Sequence, residues 1–218
     1  MQPEAIVFGS IGTLAETSEM QREAFNEAFG EAGLDWHWDR ESYRELLGRT
    51  GGRDRVADYA RERGEEVDAV AIHARKTAIF DERMRADGLT LRPGVDAVLR
   101  WAAGRSIPVG LASTTSRRNL DALLDAVPGL ADRFAFVADA SLVKRPKPDP
   151  EVYHLVCERL GVEARRAVGI EDTEVNLAAP LAAGLVAIAF PGANTREQDY
   201  SAATKVLDEL DPSAFERL

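Results

Sequence analysis

Four short segments of this chain carry side chains able to do chemistry. Leu111-Ala112-Ser113-Thr114-Thr115 ends an apolar run with three hydroxyls, Lys147 stands between two prolines, and Glu171 and Asp172 end another apolar run with adjacent carboxylates. Hydroxyls and an ammonium can hold a phosphoryl group by hydrogen bonds and charge. Adjacent carboxylates can ligate a hard cation or exchange protons. The fourth segment, Thr50-Gly51-Gly52-Arg53-Asp54-Arg55, sets two guanidinium groups behind a glycine turn. His154 and Cys157 have no matching metal or nucleophile partners in the sequence and read as structural. Cys157 is the only cysteine, which rules out an internal disulfide and argues against a thiolate metal cluster.

These segments can act together only if the fold brings strand ends side by side. Apolar runs at Ala5 to Gly9, Ile107 to Ala112, Phe134 to Ala138, Ala167 to Glu171 and Leu185 to Phe190 predict buried parallel strands. Helical patterns separate most of them: Val95, Val98, Leu99 and Ala102 share one stripe, as do Val152, Leu155, Val156 and Leu160. The alternation predicts an α/β fold with a doubly wound parallel sheet.

Residues 16–87 break that rhythm with helix patterns and no strand. Ser18-Glu19-Met20-Gln21 reads as a capping box, followed by Ala24, Phe25, Ala28 and Phe29 on one face. Further helices are expected near Asp39 to Gly48, Arg53 to Gly64 and Val67 to Ala86. The reading is an α/β core of residues 1–15 and 88–218 with an inserted helical cap at 16–87. Such an insertion is expected over the carboxyl ends of the strands, where open α/β sheets bind ligands.

With 218 residues the chain can bury a sizeable core without disulfide or metal. Its 37 acidic residues against 27 Lys plus Arg give a net charge of -10, which disfavours nucleic acid as a partner. The sequence lacks a basic leader running into an apolar segment and a stretch apolar enough to span a bilayer. The expectation is a cytoplasmic protein with no membrane partner.

Taken in order, four segments resemble the motifs of the haloacid dehalogenase superfamily. Val7-Phe8-Gly9-Ser10-Ile11-Gly12-Thr13-Leu14 is similar to its first motif, hydrophobic-Phe-Asp-x-Asp-Gly-Thr-Leu, with Gly9 and Ile11 at the two aspartate positions. Leu111 to Thr115 resembles the second motif, Lys147-Pro148-Asp149-Pro150-Glu151-Val152-Tyr153 the third, and Gly169-Ile170-Glu171-Asp172-Thr173 the fourth. Ala24 to Phe29, Asp35 to Arg40, Tyr43 to Leu47 and Thr50 to Arg55 look like the CbbY group. Its members are similar to β-phosphoglucomutase and hydrolyse sugar phosphates, notably xylulose 1,5-bisphosphate.

The resemblance implies a phosphoaspartyl route, with the first aspartate as nucleophile and magnesium ligand and the second as general acid and base. Gly9 and Ile11 can fill neither role. Phosphate recognition is less damaged, since Ser113, Thr114, Lys147 and the amides after position 9 can still hold a phosphoryl group. The resemblance assigns Thr50, Gly51, Gly52, Arg53 and Arg55 of the cap to the substrate, Arg53 standing where relatives carry lysine; Lys76, within one turn of His73 on a cap helix, is a further candidate to face the cleft. It leaves Mg2+ possible but weakened, with Asp172, Glu171 and the backbone carbonyl of Ile11 as remaining ligands. Gln21 stands where relatives often have histidine, Asn176 replaces a usual glycine, and Pro180 falls inside a helix, where a bend is expected.

Blander readings compete at several positions. Ser10 is a tempting replacement nucleophile, yet strand alternation sends it to the opposite side from positions 9 and 11. Glu16 could serve as a base, but a hinge role fits it better. Trp36 and Trp38 read as cap packing rather than a sugar platform, and His73 as a surface or packing residue. The expected function is a pseudophosphatase that binds a sugar phosphate or bisphosphate without hydrolysing it. Two alternatives stay open: an active sugar-phosphate hydrolase using another route through Asp172 or Glu16, and a regulatory protein whose protein partner is unknown.

Overall fold

A computed structural model describes residues 2–47 and 51–216. The chain runs through β1 (Ala5–Phe8), α1 (Ser18–Glu31), α2 (Arg40–Leu46), α3 (Gly52–Arg63), α4 (Ala69–Asp87), α5 (Val95–Gly104), β2 (Val109–Ala112) and α6 (Arg117–Asp125). It continues through β3 (Phe136–Ala138), α7 (Glu151–Leu160), β4 (Ala167–Glu171), α8 (Glu174–Ala182), β5 (Val186–Ala189) and β6 (Lys205–Val206). Two compact units result: Met1–Glu16 with Leu89–Leu218, and Thr17–Gly88.

The first unit is a six-stranded sheet in the order β3-β2-β1-β4-β5-β6, and every neighbouring pair is parallel. This is a doubly wound α/β fold carrying an inserted helical cap domain. A parallel sheet covered on both faces needs apolar side chains pointing both ways, and β1 supplies them. Ile6 and Phe8 join Val98, Leu99, Leu120 and Leu123 on one face, while Ala5 and Val7 join Val152, Val156 and Ala179 on the other.

Several strands are shorter than their apolar runs predict. β1 stops at Phe8, because after the Gly9 N–H has bonded the Ile170 carbonyl the chain turns, and the amides of Thr13 and Leu14 both bond the Ser10 carbonyl. β6, only two residues long, has too little pattern to be read from sequence.

The second unit is helical. Asp39 caps α2 by accepting from the Ser42 amide, and Asp68 caps α4 through the Ala71 amide, which satisfies amides that a helix start leaves open. Ser18, expected as the cap, is instead the first residue of α1: Thr17 precedes the helix, with no side-chain bond to the helix amides. Its hydroxyl instead accepts from Gln21 Nε2 at 3.2 Å. Trp36 and Trp38 are buried and pack edge-on against Phe29, as packing residues should. No helix among the described residues is long and apolar enough to cross a membrane.

Candidate functional site

At the carboxyl end of β1 the chain leaves the sheet through a tight turn. Gly12 holds φ of 87°, a region that glycine enters at little cost. A β-carbon there would also lie 2.8 Å from the Asp172 Cγ. Ile11, at the second of the two positions where the resemblance expects aspartate, packs against the apolar cluster of the core.

Gly9 stands at the end of β1 opposite β4. A β-carbon on it would fall 2.7 Å from the Glu171 Cδ and 2.7 Å from Thr13 Oγ1. The Glu171 carboxylate therefore lies where a side chain at position 9 would begin. It is buried, and its Oε1 takes an ion pair from Lys147 and a 2.6 Å hydrogen bond from the Tyr153 hydroxyl. Thr13 donates weakly to Oε2 at 3.4 Å. Burial, reinforced by the Glu171 charge, pushes the Tyr153 hydroxyl well above its ordinary value, so it stays a donor.

Lys147 also donates to the Ala112 carbonyl at 2.8 Å, which sets its ammonium beside the end of β2. The Lys147–Pro148 peptide is cis. Ser113 follows directly, buried, with Thr114 half-buried next to it. The sequence-predicted residues Gly9, Ile11, Ser113, Thr114, Lys147, Glu171 and Asp172 thus gather at the ends of β1, β2 and β4.

The Ser10 hydroxyl is 2.8 Å from the Ser113 hydroxyl. Ser10 follows Ile6 and Phe8, and Ser113 follows Val109 and Leu111, at the spacing of one face of the sheet, whereas Gly9 follows Ala5 and Val7 on the other; Ile11 packs with the first face and so does not share the side of Gly9. The partner of Ser10 is a second hydroxyl rather than a base, so nothing here activates it as a nucleophile.

Asp172 shares the single Thr13 hydroxyl proton with Glu171, its Oδ1 lying 3.3 Å from Thr13 Oγ1. Burial and the neighbouring Glu171 charge push its carboxyl up to about 7, against the pull of Lys147 and Arg92. Magnesium asks for a near-octahedral set of oxygens. Among the described residues no group of three or more His, Cys, Asp or Glu side chains could hold a metal ion, and Glu171 is already committed to an ammonium and a phenol. That leaves Asp172 as the carboxylate through which this end of the sheet could meet a hard cation.

Two further residues frame the turn, and sequence reasoning missed the first. Arg92 Nη1 donates to the carbonyls of Gly12 and Phe190 at 2.8 and 2.6 Å, and Nη2 to that of Pro191 at 2.7 Å. Only its place just after the insertion could have signalled it. Glu16 lines a cavity of about 290 Å³ with Arg92, Gly192, Arg196 and Asp208.

In the helical unit, Thr50 lies outside the described residues. Gly51 and Gly52 open α3, and Arg53 is exposed and paired with Asp54. Arg55 is buried and donates to the Leu46 carbonyl. Lys76 is buried over the rings of Phe25 and Phe80 and donates to Gln21 Oε1 at 2.8 Å. Burial, with the charge of Arg55 added, pushes its ammonium down to about 7, and Asp81 opposes this. His73 is half-buried against Phe25, and burial with the surrounding cations lowers it to about 4.

The profile of the haloacid dehalogenase-like hydrolases matches residues 3–184. Protein CbbY of Cereibacter sphaeroides is 41% identical over 212 residues, covering 95% of this chain and 92% of that protein. A crystal structure of CbbY from Rhodobacter sphaeroides with phosphate superposes with a TM-score of 0.84 at 39% identity, covering 95% of this chain and 94% of the other. A variant of the same protein, solved with xylulose 1,5-bisphosphate, matches equally well, with a TM-score of 0.84, 39% identity, and 95% and 94% covered.

Proposed function

The chain belongs to the haloacid dehalogenase-like hydrolase family, and from that membership we propose that it is a CbbY-like pseudophosphatase, binding a sugar phosphate or bisphosphate without hydrolysing it. One observation carries the reading: the space that a nucleophile at position 9 needs is filled by Glu171, tied to Lys147 and Tyr153. Without a nucleophile the covalent route has no first step, and with Ile11 at the acid-base position the group that would protonate the leaving alkoxide on that route is missing. Magnesium affinity is weakened by the same change.

Recognition survives the loss. The hydroxyls of Ser113 and Thr114, the ammonium of Lys147 and the amides of the turn after Gly9 suit a phosphoryl group. In the helical unit, taken by itself, the glycine turn at 51–52 with Arg53, Arg55 and Lys76 is a second set suited to an anion. The CbbY complex with xylulose 1,5-bisphosphate supports a phosphorylated sugar as the ligand class.

The test is phosphate release from a panel of sugar mono- and bisphosphates with magnesium, run beside calorimetric binding of the same compounds. Binding without turnover, with turnover appearing in the doubly restored Gly9→Asp, Ile11→Asp protein, is the expected result. Turnover in the unaltered protein that Asp172→Asn abolishes would overturn the reading in favour of an active hydrolase.

A further inference from the structure

Ser10 and Ser113 come from the ends of adjacent strands, are 9% and 1% exposed, and share one hydrogen bond of 2.8 Å. A hydroxyl has one proton and two acceptor sites. One acceptor site of Ser113 is already taken by the Thr115 amide at 3.2 Å. If Ser10 donates to the other, Ser113 is saturated as an acceptor and can only donate. Its proton then has to point away from both partners. The Lys147 ammonium, bonded to the Ala112 carbonyl one residue earlier, marks the same strand end as the side where an anion is attracted.

We propose that Ser10 is a positioning residue of the phosphoryl pocket, which by donating to Ser113 fixes the Ser113 hydroxyl as a donor to a phosphate monoester. The inference rests on the reading of this pocket as a phosphoryl site. A hydroxyl that accepts two hydrogen bonds is also polarised into a stronger donor, and an anionic ligand gains most from such a donor. An apolar residue at position 10 would leave the Ser113 proton free to rotate into other orientations.

The experiment is calorimetric titration of inorganic phosphate and of xylulose 1,5-bisphosphate into the full-length protein and its Ser10→Ala, Ser10→Thr, Ser113→Ala and Ser10→Ala/Ser113→Ala variants. Ser10→Ala is expected to weaken both ligands about tenfold, the size of one hydrogen bond to a charged group, with Ser10→Thr within about twofold of the unaltered protein. Because Ser10 acts through Ser113, the double variant should bind no more weakly than Ser113→Ala alone. Affinity in Ser10→Ala equal to the unaltered protein, or losses that multiply in the double variant, would overturn the proposal. Lys147→Ala separates this from the larger reading. If Lys147→Ala weakens binding and Ser10→Ala does not, only the role of Ser10 fails; if the unaltered protein binds neither ligand, the phosphoryl site fails with it.

Discussion

The carboxylate of Glu171 occupies the room that a side chain on Gly9 would need, since a β-carbon at position 9 would sit 2.7 Å from the Glu171 Cδ. Residue 9 and the Glu171 rotamer are therefore coupled. Gly9→Ala is expected to destabilise the protein by about 1–3 kcal/mol, the usual cost of overfilling a packed site, read as a lower urea midpoint. Gly9→Ala in the Glu171→Gly background should lose less than the same change alone; equal losses would show that the two positions are independent.

Lys147 and Glu171 form an ion pair whose side chains are 6% and 1% exposed. Removing one partner leaves the other charged and buried, which typically costs about 3–5 kcal/mol. Lys147→Met should approach that loss, and Lys147→Met/Glu171→Gln should recover much of it, because the stranded carboxylate is gone. Denaturant melts of the two variants side by side make the comparison.

Magnesium at millimolar concentration is expected to leave the thermal midpoint of the unaltered protein in place, since Glu171 is already bonded to Lys147 and Tyr153. The Gly9→Asp, Ile11→Asp protein should respond with a higher midpoint, as any ligand bound only by the native state produces. A magnesium-dependent rise in the unaltered protein would show that two carboxylates suffice.

The two displaced ionisations give stability opposite slopes in separate pH windows. Asp172 is raised from 3.8 to about 7, so the folded state holds its proton more tightly and this contribution is lost as pH rises through about 7. Lys76 is lowered from 10.5 to about 7, so the unfolded state binds the extra proton, and stability from this group rises between those values. Asp172→Asn should flatten the acid window and Lys76→Met the alkaline one in urea melts run across pH.

Much of this architecture is legible in the residue order. The Ala167–Glu171 strand has the bounds its apolar run predicts, because a strand buried on both faces is apolar throughout and ends where the carboxylates begin. The gathering of Ser113 and Glu171 follows from strand ends lying side by side in a parallel sheet, and Lys147 joins them from the loop before α7. What escaped is what pattern does not encode. The Ser10–Ser113 contact depends on the register between two neighbouring strands, which residue order alone does not give. Arg92 was missed because its partners are backbone carbonyls, which leave no trace in side-chain order, and the Tyr153 bond to Glu171 depends on a helix packing distance.

The way Arg92 grips the turn bears on how such a chain can diverge. Its guanidinium holds the loop through the carbonyl of Gly12 while anchoring to those of Phe190 and Pro191, and a carbonyl is present whatever the residue. The loop keeps its shape independently of the side chains it displays. A lineage could therefore discard reactive groups at positions 9 and 11 without unravelling the scaffold, and the mould of a catalyst would outlast the catalysis.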